Sequence, residues 1–133
     1  MMRVEGPIFF ASIEHIEREF DRIEARAETR QTRILSLKAV NKIDLTGADF
    51  LIDRIKKARR QGRDMHLIAV AAPTLRVLNR LGVTRFVGED NLHAHKTEAI
   101  AEAVRRADDD ICARCTLRVF KECADKPGPA DRE

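Results

Sequence analysis

Residues Met65 to Ala71 read Met-His-Leu-Ile-Ala-Val-Ala, an almost unbroken apolar run. The longest purely apolar stretch of the chain overlaps it, from Leu67 to Pro73. A run this short cannot cross a bilayer as a helix, which takes roughly 20 apolar residues. It does not alternate with polar residues, so protein must cover both of its faces, as in a central strand of a parallel sheet. Parallel neighbours need long crossover connections, usually helical. This one segment therefore predicts an α/β chain.

The flanking patterns agree. Arg3 to Ala11 contains Gly-Pro-Ile-Phe-Phe-Ala, a strand in which Pro7 requires an edge position or a bulge. Ile13, Ile16, Phe20, Ile23 and Ala27 come next at helical spacing, with Ser12 as the expected N-cap. Arg33 to Val40 is the second strand and Asn41 to Thr46 the loop after it. Ala48, Leu51, Ile52, Ile55 and Ala58 form the next helical stripe, closed by Gly62. Pro73 opens a helix through Leu75, Leu78 and Leu81, and Gly82 stops it. Arg85 to Val87 is expected as a short strand, and Ile100, Ala103, Val104 and Ala107 as the last main helix. The order βαβαβαβα predicts one α/β domain with a mostly parallel sheet and right-handed crossovers. Ala124 to Glu133 is rich in Pro, Gly and charge, and is expected to be disordered.

Composition narrows the function. Apolar residues are 44% of the 133, enough to offset ordering entropy, which excludes a disordered chain. Lys and Arg number 25 against 22 Asp and Glu, so most charge belongs to solvated faces carrying both signs. The best basic cluster is Arg54, Lys56, Lys57, Arg59, Arg60 and Arg63, at a helix end where cations suit the dipole. With no Trp or Tyr there is no stacking platform, and nucleic-acid binding is not expected. An odd count of three cysteines and no basic-apolar-small leader predict a reducing, cytoplasmic setting.

The usual catalytic signatures are missing. There is no Gly-x-Gly-x-x-Gly after a strand, no P-loop and no Gly-x-Ser-x-Gly, and Ser12 and Ser36 are the only serines. His93 and His95 read as solvated residues before a helix, His66 as a strand residue and His15 as part of a polar helix face. None has an evident catalytic partner. Cys112, Cys115 and Cys123 offer three thiols where zinc favours four ligands, so they are weak metal candidates, and no cofactor is expected. Read as one helix after Asp108, the three fall within about 80° of one another, with Val119 on the same stripe. Packing is the plain reading of that stripe, and a redox role the other.

Ile43-Asp44-Leu45-Thr46-Gly47 joins the end of a strand to the start of a helix, the edge where open α/β sheets bind ligands. Thr46 is expected to cap the helix, with Asp49 three residues on as a variant capping box. The alternative is a site for an anion at the helix N-terminus, or for a phosphate carried on Thr46 itself.

Taken together, Gly6-Pro7-Ile8-Phe9-Phe10-Ala11, Ile43-Asp44-Leu45-Thr46-Gly47, Gly82-Val83-Thr84-Arg85-Phe86 and Thr97-Glu98-Ala99 resemble the STAS domain. The opening is similar to the version in the cytoplasmic C-terminal part of SulP-type sulfate and anion permeases. The segment from Cys112-Ala113-Arg114-Cys115 to Val119-Phe120-Lys121-Glu122-Cys123 is similar to the stretch C-terminal to the domain in bacterial permeases. The resemblance implies a small mixed or parallel sheet of about four or five strands with helices mainly on one face. It places the domain at residues 1–123, with 108–123 as a cysteine-bearing helical extension. It implies a non-catalytic regulatory and protein-interaction domain, at the cytoplasmic face of the inner membrane if attached to a transporter. Its partners would be a transporter's membrane domain in cis, or cytoplasmic regulatory proteins, without membrane insertion by this chain. A homodimer through the Pro7 edge or the cysteine stripe is compatible but not required. Related anti-sigma-factor antagonists are phosphorylated on a serine in an Asp-Ser-Ser-Gly-like motif. Asp44, Leu45, Thr46 and Gly47 occupy those places, with Thr46 at the acceptor and Leu45 departing from the first serine. A free-standing antagonist that switches partners through Thr46 is therefore the alternative function.

Overall fold

The apolar run folds as strand β3, Met65–Ile68, with every residue buried. The structure is a computed structural model and describes residues 1–26 and 32–129. Strands β1 (Met2–Glu5), β2 (Arg33–Ala39), β3 and β4 (Leu92–His93) lie side by side in that order, all parallel. The helices are α1 (Ile13–Arg26), α2 (Leu45–Arg60), α3 (Ala72–Arg80), α4 (Val83–Val87), α5 (Lys96–Arg105) and α6 (Asp109–Arg114). Short 3-10 turns cover Glu89–Asn91 and Lys121–Asp125.

Because the strands succeed one another across the sheet in one direction, right-handed crossovers put α1 to α4 on the same face. Strand alternation sends Met2, Leu35, Leu37, Met65 and Leu67 to that face. There they form one cluster with Phe20, Leu51, Ile55, Leu78, Val83 and Val87. Each fully buried Leu contributes about 2 kcal/mol of transfer free energy. The residues between them, Ile34, Ser36, His66 and Ile68, face the other way, where α5 packs on β3 and β4. An open cavity of about 1110 Å³ lies on this side, with Ile34, Ile100, Val104, Ile111 and Phe120 in its wall.

Several elements differ from expectation. The first strand stops at Glu5 rather than reaching Ala11. Gly6 turns at a φ of 88°, and Ile8 rejoins the sheet only as a single parallel bridge to Ile43. The Ser12 carbonyl accepts the Ile16 N–H and so starts α1, but its hydroxyl is spent on the preceding turn. That hydroxyl accepts the Phe9 N–H at 3.2 Å and points at the Pro7 carbonyl at 3.0 Å. Ala27, expected on the α1 stripe, lies outside the described residues. The β3 strand ends at Ile68 because Ala69 takes a φ of 57°.

Arg85 to Val87 is helical, not extended. Val83 and Val87, one turn apart, are both buried, and Gly82 and Gly88 turn the chain at either end at φ of 84° and 85°. The fourth strand forms later, at Leu92–His93. The cysteine segment is not one helix either. It leaves helical conformation at Cys115, whose ψ is 120°, and Arg118 turns at a φ of 38°. The cysteine stripe therefore does not form, and Val119 is exposed. Residues 124–129, expected to be disordered, fold back onto the domain. The Arg118 guanidinium donates to the carbonyls of Cys123, Lys126 and Pro127, and Lys126 Nζ reaches Asp109 at 2.6 Å. Residues 130–133 lie outside the description.

At least four of the six residues of the basic cluster are engaged within the domain. Arg54 is buried between α1 and α2, against the rings of Phe20 and Phe50, and its Nη1 pairs with Asp21 at 2.8 Å and Glu24 at 3.3 Å. Lys57 pairs with Glu24, Lys56 sits over the Phe86 ring, and Arg59 donates to the Val87 carbonyl.

Candidate interaction site at the carboxyl edge of the sheet

The loop 43–47 sits at the carboxyl end of β2, as its position after a strand requires. Asp44, not Thr46, caps α2. Its Oδ1 accepts the Gly47 N–H at 2.8 Å, and Oδ2 accepts the Phe10 N–H at 3.0 Å. One carboxylate therefore ties two loops together: the start of α2 and the turn after β1. The expected hydroxyl cap at Thr46 lies too far along the chain, already inside the helix. A carboxylate has two acceptor oxygens, and here each is used.

Those two amides hold the Asp44 carboxyl below the usual carboxylate range, the Gly47 N–H first, with Lys42 adding a favourable charge. Ionised acceptors make the stronger hydrogen bonds, so the clamp is firmest with Asp44 charged. Gly47 completes it. A Cβ at Gly47 would lie 2.3 Å from the Ile8 carbonyl oxygen, so the helix start and the Ile8 bridge approach as closely as backbone allows. Thr74 anchors the next helix to the same edge, its hydroxyl donating to the Val40 carbonyl at 3.1 Å.

Between them, the two tied loops present apolar side chains to solvent. Leu45 is 63% exposed and Phe10 is 71% exposed, with Phe9 set edge-on to the Phe10 ring. Thr46, in the first turn of α2, is exposed as well. Sequence reasoning singled out Asp44, Leu45, Thr46 and Gly47, and the fold brings them to one edge. It missed Phe10 as their neighbour, although the Phe9-Phe10 doublet stands within the Gly6 to Ala11 motif.

The histidines separate. His95 precedes α5 at its N-cap position with no side-chain cap, and His93 is instead part of β4. His66 is fully buried, its Nδ1 is 3.0 Å from His93 Nε2, and its own Nε2 has no hydrogen-bond partner. Burial holds the His66 imidazole below its ordinary pKa of 6.5, opposed by the nearby Asp64 charge. Spacing alone could not pair them, because the contact depends on β4 coming after α4. Among the described residues no three His, Cys, Asp or Glu side chains are placed to hold a metal ion.

Comparison with known proteins matches this fold to a family. The STAS domain family matches residues 1–101. The chain belongs to the STAS domain family. It is 29% identical over 104 residues to the bicarbonate transporter BicA of Synechocystis, covering 78% of this chain and 18% of that protein. The chain thus spans less than a fifth of the length of that curated relative. Among solved structures, the SulP transporter STAS domain from Vibrio cholerae is 29% identical with a TM-score of 0.64, covering 85% of this chain and 83% of that one. A sulfate transporter family protein from Wolinella succinogenes is 27% identical with a TM-score of 0.65, covering 77% of this chain and 82% of that one. The fold also matches murine Solute Carrier 26 family member A9, an anion transporter, at 19% identity and a TM-score of 0.69 over 79% of this chain and 18% of that one. Among the described residues no helix is long and apolar enough to cross a membrane.

Proposed function

We propose that this domain is a non-catalytic regulatory module that works at the cytoplasmic face of a SulP-type anion transporter. In this reading the edge formed by Phe10 and the Asp44–Gly47 loop is its contact surface. The observation that carries the reading is the Asp44 clamp. It spends a charged, doubly bonded carboxylate on holding Phe10 and Leu45 outward, and exposed apolar side chains on a rigid support suit a partner surface. The likeness to SulP transporter domains supplies the kind of partner: a membrane domain in cis, or regulatory proteins on the same side.

A photocrosslinking residue at Leu45, introduced in the native cell, tests this directly. Crosslinks to a polytopic membrane protein support the reading. Crosslinks only to a soluble kinase or an anti-sigma-like protein overturn it in favour of the second reading, and the absence of any crosslink removes both.

The second reading, a partner switch through phosphorylation of Thr46, is favoured by the exposure of that hydroxyl beside the α2 N-terminus. A phosphate there would meet unpaired amides and positive potential, which stabilise it. It would also face the Asp44 carboxylate, already bonded to the Gly47 amide. The two anions would compete for the same helix start, and the losing group would release either the cap or the Phe10 turn. Phosphosite analysis of protein from its own cell decides this reading. An unmodified Thr46, together with unchanged partners for Thr46→Glu, overturns it.

A further inference from the structure

Cys112 and Cys115 occupy the last turn of α6 and the residue that ends it. The Cys115 N–H donates to the Cys112 carbonyl at 3.1 Å, so the two residues close a single turn. The direction of a Cβ depends on φ, and at −78° Cys115 keeps a nearly helical φ although its ψ has left the helix. The two side chains therefore project on the same side, with Cβ atoms about 5–6 Å apart at this spacing. A disulfide needs about 3.5–4.5 Å, so the last turn must tighten by only about 1–2 Å.

The surroundings of Cys115 favour the thiolate. The backbone amides of Arg118 and then Leu117 lower its pKa, and the Arg118 charge adds to them. Arg118 is fixed in that place, because its guanidinium is held by the Cys123, Lys126 and Pro127 carbonyls. All three thiols are free and partly exposed, so small oxidants can reach them.

We propose that Cys112 and Cys115 form a dithiol that hydroperoxides oxidise to an intramolecular disulfide, with Cys115 as the attacking sulfur and Cys112 as the resolving one. In the first step the Cys115 thiolate attacks the terminal oxygen of the hydroperoxide. The S–O bond forms as the O–O bond breaks, leaving a sulfenic acid on Cys115, and the departing alkoxide or hydroxide takes up a proton. In the second step the Cys112 sulfur attacks the Cys115 sulfur. The S–S bond forms, the S–OH bond breaks, and the hydroxide leaves as water with the Cys112 proton. Two thiols lose two electrons in all, and the hydroperoxide is reduced to an alcohol, or water, plus water. Tightening the end of α6 would shift the next segment, which carries the exposed Leu117 and Val119 and leads to Phe120 on the open cavity.

The test uses the whole chain, reduced and then treated with one equivalent of hydrogen peroxide. Trypsin cuts after Arg106, Arg114, Arg118 and Lys121, so each cysteine falls in a different peptide. The expected product links peptide 107–114 to peptide 115–118, while the Cys123 peptide stays free. In Cys112→Ser, dimedone is expected to trap a sulfenic acid on Cys115 at least about tenfold faster than on Cys123. Cys123→Ser is expected to leave the 112–115 link intact. A bridge that includes Cys123, a link between two chains, or equal trapping at Cys115 and Cys123 would overturn the proposal.

Discussion

The two faces of the sheet are built on opposite terms. The face under α1 to α4 is mostly apolar, with Leu35, Leu37, Leu67, Leu78 and Val83 at no exposure, and its buried polar side chains, Arg33, Arg54 and Thr74, lie around that cluster. The face under α5 mixes Ser36 and a buried His66 with Ile68, and leaves Ile34 half-exposed beside an open cavity. One face supplies the stability of the domain. The other can hold polar groups because that stability does not depend on it. The exposed Phe10 and Leu45 belong to the rim of the first face, where the packed core gives their loops a fixed base.

The largest effect should come from cutting the packed face. Leu35→Ala removes a fully buried side chain and is expected to cost about 3 kcal/mol. Ile34→Ala, the next residue on the opposite face, should cost under about 1 kcal/mol. Urea denaturation of the pair measures the contrast directly, and equal costs would erase it.

At the rim, Gly47→Ala gains about 1 kcal/mol of helix propensity but drives a Cβ into the Ile8 carbonyl. Overpacking costs about 1–3 kcal/mol, and backbone cannot step aside as a flexible side chain would. The expected net loss is therefore up to about 2 kcal/mol, with the Ile8 bridge to Ile43 opening first. Amide exchange at Ile8 and Asp44, whose N–H groups close that bridge, checks it.

A smaller effect belongs to the polar face. The folded His66 has a lowered pKa, so below its ordinary value of 6.5 the unfolded chain binds a proton that the folded chain resists. Stability should therefore rise with pH through the window between the lowered folded pKa and the ordinary value near 6.5. Around that imidazole stand His93, Asp64, Glu102 and Arg106, and the carboxylates partly offset the burial. His66→Gln should flatten this rise below pH 6.5 in urea midpoints, whereas Leu35→Ala should shift the whole curve without changing its slope.

The smallest effect is on the exposed rim. Leu45→Ser should leave stability within about 0.5 kcal/mol, because 63% of the side chain is already in water. Loss of partner crosslinking at unchanged stability would separate the surface from the core it stands on. A large loss of stability would instead show that Leu45 belongs to the core.

Much of this was legible along the chain. The unalternating run at 65–71 required a covered central strand, and the stripes at 48–58 and 75–81 required helices over it. The Arg85 to Val87 strand failed because three residues carry too little periodicity to separate strand from helix. Val83 and Val87 are both buried while Arg85 between them is exposed, and a strand would turn all three to one face where a helix separates them. The cysteine helix failed for a related reason. Its spacing was helical, but Arg118 found three carbonyls that a continuous helix would not have offered.

The same division holds at the candidate site. That Asp44 to Gly47 would stand at a helix start on the carboxyl edge comes from their place between a strand and an apolar stripe, which is local information. The cap itself is local, Asp44 Oδ1 accepting the Gly47 N–H three residues on. What is not local is the second bond of that carboxylate, to the Phe10 amide 34 residues away. The sequence by itself determined the elements and their order, since periodicity and turn residues act within a few positions. Only the tertiary structure decided the Asp44–Phe10 tie, the exposed Phe10–Leu45 rim and the His66–His93 pair, because each depends on groups that meet only after the strands are in register.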